Sequence, residues 1–547
     1  MQNTRRDVIK ALAALPLVRF QGSDPDLVLH NGSVYTGTSS GPEITAIAVR
    51  DGRILGIGTD KEILGSAGRK TRRVDLARKR VMPGFNDAHA HPWAGGLDQL
   101  KSVACDKTSI EEIQAALRAR AAATPPGRWV QGYLYDDGKT PRPLTRADLD
   151  AAVPDHPVIV THRGGHTGYA NSLALAKAGA TATTPDPPGG RFEHGPDGQL
   201  DGRVADKAMA AVLDKIPDDS TRDDHRRAVA LISKLYASYG VTSACEADAT
   251  PDGLQGYQDA RDAGELKYRA YCHMNVEFLD RYIAAGLHTG FGDSMVRIGG
   301  IKQYADGSIS ERTAWLAEPY IGIPNYFGVE SGTRESLYEN SRKAWGAGFQ
   351  LATHANGERA IDRILSVYEQ LSREAPRRDP RFRIEHCTVV TPELIARIRN
   401  VGAIPVPFAG YVNFHGDVMH FYGDERTNRM FAYRSFIDAG LRPPTSSDYT
   451  ASPPSPMLWL YSMTTRMDPA GHVWGAAQRI TLAEAVRSAT LDGAHASFEE
   501  HEKGTIEPGK MADLVVLSED PWAVPAEHWQ KIKPERTMLG GQWVYES

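Results

Sequence analysis

The sequence predicts an α/β chain whose main body is a (β/α)8, TIM-like barrel. It adds a small composite β-sandwich domain built from both termini and an inserted lobe over the barrel mouth. Three observations predict this. Between about residues 83 and 499, short apolar runs of strand length alternate with stretches of helix length. Short alternating strands with Gly turns occur at both ends of the chain. Histidines and an acid stand where the apolar runs give way to loops, the end of barrel strands at which chemistry is built.

At 547 residues, with 41% hydrophobic and 24% charged residues, the chain can bury a large core plus a smaller one. The net charge of −5 gives no basic face for nucleic acid. Cys105, Cys245, Cys272 and Cys387 show no Cys-x-x-Cys spacing and read as small buried hydrophobes.

The first segment, residues 1–23, carries Arg5-Arg6 ahead of the apolar run Ala11 to Val18. Paired arginines before a short apolar run resemble a twin-arginine export signal. The run is too short to span a bilayer. Its recognition by the export machinery would make the protein periplasmic or secreted. The alternative is an amphipathic tail on a cytoplasmic protein.

Residues 24–82 and 500–547 share one texture. Leu27-Val28-Leu29-His30-Asn31-Gly32 and Ala46 to Gly58 are strands with Asn-Gly and Asp-Gly turns. Ala512 to Leu517 and Gly540 to Val544 repeat the pattern. Each piece is too small for its own core, so the two are expected to combine. The barrel occupies 83–499. Its strand candidates begin at Phe85 to His91. They continue with Val158–Thr161, Val241–Ala244, Tyr268–Met274, Arg297–Gln303, Gln350–Thr353, Phe382–Glu385, Ala403–Val406 and Pro444–Ser447. Helix candidates include Ser109–Ala123, Thr221–Tyr239, Arg334–Ala347, Glu358–Ser372 and Leu482–Leu491. Residues 95–240 are too many for one βα unit and are expected to carry the lobe.

His89 and His91 form a His-x-His step, and on a strand residues i and i+2 face the same side, so two imidazoles converge. Lys302, His354, His386 and Asp448 each follow or end a strand candidate. Taken singly, each has an ordinary reading as a lid residue, a buried stem or a helix cap. Together they make a mixed nitrogen and oxygen set at one end of the predicted barrel.

The chain resembles the amidohydrolase superfamily, and most of all its family 3 branch, which includes N-substituted formamide deformylase-like enzymes. The resemblance rests on Met82-Pro83-Gly84-Phe85 with Asp87-Ala88-His89-Ala90-His91, and on Asp306-Gly307-Ser308 after Lys302. It rests further on His354-Ala355-Asn356-Gly357, Arg383-Ile384-Glu385-His386, Ser447-Asp448 and Gly504 to Leu514. One departure is Glu358, where family members often carry Asp; either acid suits a helix N-terminus. The resemblance implies metal-site residues His89, His91, His354, His386 and Asp448, with Lys302 bridging two ions. A lysine amine with pKa near ~10 repels a cation, so Lys302 would bridge only if carboxylated or strongly deprotonated.

Such a donor set suits zinc, as one or two divalent ions, with manganese, iron or cobalt as alternatives. The resemblance implies hydrolysis of a C–N bond in a small amide, formamide or N-acyl compound by metal-activated water. Asp448 would move the proton, and His386 with the metal would polarise the carbonyl. The expected substrate contacts are His166, Arg312 and Trp93. An ester or cyclic-amide hydrolase, or a ligand-binding barrel without catalysis, would use the same residues. Residue patterning leaves the oligomeric state open, a homo-oligomer included.

Overall fold

Seven parallel strands form the central sheet, and their order in space is their order in the chain. They are β1 (Phe85–Ala90), β2 (Val241–Ala249), β3 (Arg269–Asn275), β4 (Val296–Tyr304), β5 (Gln350–Ala355), β6 (Phe382–His386) and β7 (Ala403–Val406). Every crossover leads to the next neighbour, as in a TIM-like barrel; a doubly wound sheet reverses its order near the middle. The computed structural model describes residues 24–38 and 43–547. The expected export segment, 1–23, lies outside the described residues. Among the described residues no helix is long and apolar enough to cross a membrane.

Helices α1 (Pro92–Lys101), α2 (Arg222–Ser238), α3 (Pro251–Asp262), α4 (Arg334–Gly346), α5 (Glu358–Glu374) and α6 (Pro392–Val401) connect these strands. Their starts are locally encoded. Thr250 and Thr391 accept N–H bonds from the first turns of α3 and α6, each with Pro at its first position. The strands are buried on both faces, and Phe85, Val241, Ile301, Leu351 and Ile384 share one core with Ile361, Ile364 and Leu365 of α5. Helices α1 and α2 touch through Gly96, where a Cβ would stand 2.4 Å from the Ala228 carbonyl oxygen.

Pro444–Ser447, expected as the eighth strand, is not a regular one. Ser446 makes a single parallel bridge to Phe408, just past β7. On the other side Ala88 donates to the Thr445 carbonyl and Asp448 donates to the His89 carbonyl, both at 2.9 Å. Between these bonds the ladder breaks. The buried Asp87 carboxylate accepts the Ser447 N–H at 2.9 Å and its hydroxyl at 2.5 Å. Asp448 then turns to φ 50°, out of the strand region. An irregular extended segment thus lies between β7 and β1.

Two other elements differ from expectation. Val158–His162 joins no barrel strand but a separate six-stranded sheet spanning residues 103–206, inserted between α1 and α2. The helix expected over Leu482–Leu491 is α-helical only to Arg487 and widens into a π turn at Ser488–Asp492.

Strands from the two ends of the chain pair directly. Arg80–Pro83 runs antiparallel to Leu514–Leu517, with Val81 opposite Val516. That five-stranded sheet shares a core with a four-stranded one, in which Leu29, Ile47 and Val49 meet Leu514, Val516 and Met538. All four cysteines are buried and free.

Candidate metal centre

β1 ends at Ala90, and His89 on it and His91 just past it converge on one carboxylate oxygen. His89 Nε2 stands 3.6 Å and His91 Nε2 3.5 Å from Asp448 Oδ1. His89 is fully buried. Its Nδ1 donates to Glu385 Oε2 at 2.5 Å, which leaves the Nε2 lone pair facing the site. That Nε2 is buried with no hydrogen-bond partner. Glu385 is held in turn by Arg383, which donates from Nε at 2.7 Å and from Nη2 at 2.9 Å. The same Nη2 donates to the Ala88 carbonyl at 2.6 Å.

His386 ends β6 and Asp448 ends the irregular segment, both with left-handed backbones (φ 69° and 50°). Such conformations in non-glycine residues persist only where surrounding structure holds them, often at functional sites. Ligand atoms of His89, His386 and Asp448 lie within 4.8 Å of one another. The His354 ring is 4.5 Å from that of His386. Its Nε2 donates to the Gly307 carbonyl at 3.0 Å, so its Nδ1 carries the lone pair. Lys302 is 1% exposed, with Nζ 4.6 Å from the Tyr304 ring centroid. It borders the same cavity as His91, His354, His386 and Asp448.

This arrangement could hold a cation. Two atoms bound tetrahedrally at about 2.0–2.1 Å stand roughly 3.3–3.4 Å apart. The His89–Asp448 and His91–Asp448 separations of 3.6 and 3.5 Å are close to that. Burial pushes His89 down to about 4 and His386 to about 3. Burial also lowers His354 well below the ordinary imidazole value. All three are therefore neutral at pH 7, the form that ligates. Burial alone would raise Asp448, but His386, His91 and His89 outweigh it and keep its carboxylate ionised.

The site opens into a cavity of about 850 Å³ between the barrel and the 103–206 insertion. His166 reaches it from the insertion, its ring 4.9 Å from that of His354, and Asp206 accepts from its Nδ1 at 2.8 Å. Arg312 lies elsewhere, over the Phe421 ring at 4.7 Å and 3.9 Å from Asp137. The Trp93 indole is also turned away, donating to His225 Nδ1 at 3.1 Å on α2. Only its backbone N–H faces the centre, bonding Glu246 at 2.9 Å.

Several acids that shape the site have no role assigned by the residue pattern, though Asp306 stands in one of its motifs. Glu246, three residues before the end of β2, lies 3.9 Å from His91 Nδ1. Asp306 accepts the N–H groups of Asn356, Gly357 and Trp315 at 2.8–2.9 Å, fastening the end of β4 to that of β5. Glu311 lies 3.5 Å from His162 Nδ1 and accepts from the His166 N–H, joining barrel to insertion. For Glu246 and Asp306 the usable signal was an acid two or three residues past an expected strand, which is common to many loops; Glu311, further along its loop, gave none.

A profile of the amidohydrolase family matches residues 72–545. Protein LONG AFTER FAR-RED 3 of Arabidopsis thaliana is 30% identical over 512 residues, covering 91% of this chain and 88% of that one. N-substituted formamide deformylase of Arthrobacter pascens is 28% identical over 542 residues, covering 95% and 98%. The crystal structure of an uncharacterized metal-dependent hydrolase from Pyrococcus horikoshii OT3 superposes with a TM-score of 0.74 at 25% identity. It covers 92% of this chain and 99% of that one.

Proposed function

The chain belongs to the amidohydrolase family, and from that premise we propose a metal-dependent hydrolase that cleaves the C–N bond of a small amide, formamide or N-acyl compound. One observation carries the reading: ligand atoms of His89, His386 and Asp448 converge within 4.8 Å of one another, and the buried His89 Nε2 lacks any hydrogen-bond partner. The formamide-cleaving relative supports the choice of bond.

In this reading His89, His91, His354, His386 and Asp448 would hold one or two divalent ions, zinc by the chemistry of the donors. Lys302 would join them if carboxylated. When bound, the ion makes a water acidic enough to supply hydroxide near neutral pH and polarises a carbonyl. The chain's own groups do the rest. Asp448 presents Oδ1 to the imidazoles and takes the water's proton on Oδ2. The water oxygen bonds to the carbonyl carbon, the C–N bond breaks, and Asp448 returns the proton to the leaving nitrogen. His166, reaching the cavity from the insertion, contacts the substrate, and Glu385 fixes the His89 ring. Export by the twin-arginine route, read from Arg5-Arg6, is part of the same proposal and is tested by fractionating cells that carry Arg5→Lys/Arg6→Lys.

Metal analysis of the purified protein, followed by a panel of amides and esters, tests the function. His89→Ala should remove metal and turnover together. Full turnover in that variant, or a metal-free protein that hydrolyses the panel, would overturn the proposal.

A further inference from the structure

Three neighbouring strand ends border the wide cavity on its barrel side. They are Asp248, next to the last residue of β2, Asn275 at the end of β3 and Tyr304 at the end of β4. The Tyr304 hydroxyl spans the intervening β3 and donates to Asp248 Oδ2 at 2.7 Å. The Tyr304 ring lies 5.5 Å from that of His354, so the Asp248 carboxylate stands one side chain away from the metal centre.

Asp248 is half-buried, and its charge is not balanced by the protein. Its Oδ1 has no hydrogen-bond partner, and among the described residues Asp248 enters no ion pair. Other acids at the cavity differ in this respect: Asp206 already takes the His166 Nδ1–H at 2.8 Å. The arginine bordering the cavity, Arg163, lies 3.2 Å from Asp136 instead, and Lys207 is an exposed residue after the last strand of the insertion. A carboxylate partly withdrawn from water and left unpaired is costly, and a cation brought by a ligand removes that cost. Oδ2 has one donor and keeps room for another. The Tyr304 face suits a cation as well, since Lys302 Nζ stands 4.6 Å from its centroid. Glu277, just past β3, adds an exposed acid at the same cavity.

We propose that Asp248 recognises a cationic nitrogen on the amine side of the substrate, which makes the substrate class an N-acyl diamine. In a formamide only the amine side is long enough to reach from the centre to Asp248. Tyr304 contributes its hydroxyl to one oxygen and its ring face to the ammonium. The inference rests on the C–N hydrolase reading and deepens it.

The test uses the full chain loaded with zinc, with N-(aminobutyl)formamide and its neutral isostere N-pentylformamide as substrates. Wild-type kcat/KM should favour the cationic formamide by at least about tenfold, mostly through KM. Asp248→Asn should narrow that ratio by about fivefold or more with metal content unchanged, and Asp248→Glu should keep part of it. Calorimetry with diaminobutane and pentylamine reads the same recognition without turnover: the diamine should bind wild type at least about tenfold more tightly, and Asp248→Asn should lose the difference. That order of binding without hydrolysis of any amide sinks the hydrolase reading and leaves the Asp248 site standing. Equal kcat/KM for the two formamides overturns the inference and leaves the hydrolase reading intact. Equal binding of the two amines overturns it too, as does an unmoved ratio in Asp248→Asn, loss of metal from that variant, or a preference for amides whose ammonium sits on the acyl side.

Discussion

Replacing Arg383 by methionine should destabilise the fold by about 3–5 kcal/mol, the usual cost of stripping one partner from a buried ion pair. Both Arg383 and Glu385 are 0% exposed, so water cannot take over the lost contacts. The guanidinium makes two bonds to Glu385 and one to the Ala88 carbonyl. Methionine fills much of the same volume, so the cost is chiefly an uncompensated carboxylate rather than a cavity. Urea unfolding followed by tryptophan fluorescence reads it. With a slope near 3 kcal/mol/M, the midpoint drops by about 1–1.7 M, and proportionally less for a steeper slope. The double variant Arg383→Met/Glu385→Gln removes both charges and keeps an acceptor for His89, so it should regain most of the loss. A single-variant cost below about 1 kcal/mol, or a double variant no better than the single, would refute the reasoning.

Other outcomes follow from the same structure. Asp448→Asn keeps the shape of the centre and should lower kcat by about 10²–10⁴ in a hydrolysis assay. Saturating zinc at a hundred times its Kd should stabilise wild type by about 2.7 kcal/mol in urea unfolding, and His386→Ala by far less. Gly96→Ala drives a Cβ to 2.4 Å from the Ala228 oxygen and should cost about 1–3 kcal/mol; a change under about 0.5 kcal/mol would show that α1 and α2 can separate freely. Stability should also fall with rising pH. Burial lowers His162 and His166, but Glu311 and Asp137 for the first, and Asp206 for the second, outweigh it and raise both to about 9. A raised imidazole contributes fully below about pH 6.5, and its contribution is lost as pH climbs through about 9. Asp206→Asn should flatten the decline between pH 6.5 and 9, and an unaltered slope would remove that pair as its source.

The residue pattern alone carried the barrel strands and the residues that meet at their ends. It could do so because strand direction and side-chain alternation are local properties. Ala403–Val406 coincides with its expected strand, and β1 to β6 lie within a few residues of theirs. His89 and His91 share a face for the same reason. The local signal failed at Pro444–Ser447, because Asp87, 360 residues earlier, takes the Ser447 groups that a neighbouring strand would have used. It was silent on Glu385 as the partner of His89, a contact made across 296 positions. The orientations of Trp93 and Arg312 were likewise set by α2 and by Phe421, which pack against them only in the folded chain. Sequence determined which donors stand at the strand ends, because periodicity is written residue by residue. Tertiary structure decided which nitrogen of each histidine is free and how much room lies beside it, because those depend on contacts between residues hundreds of positions apart.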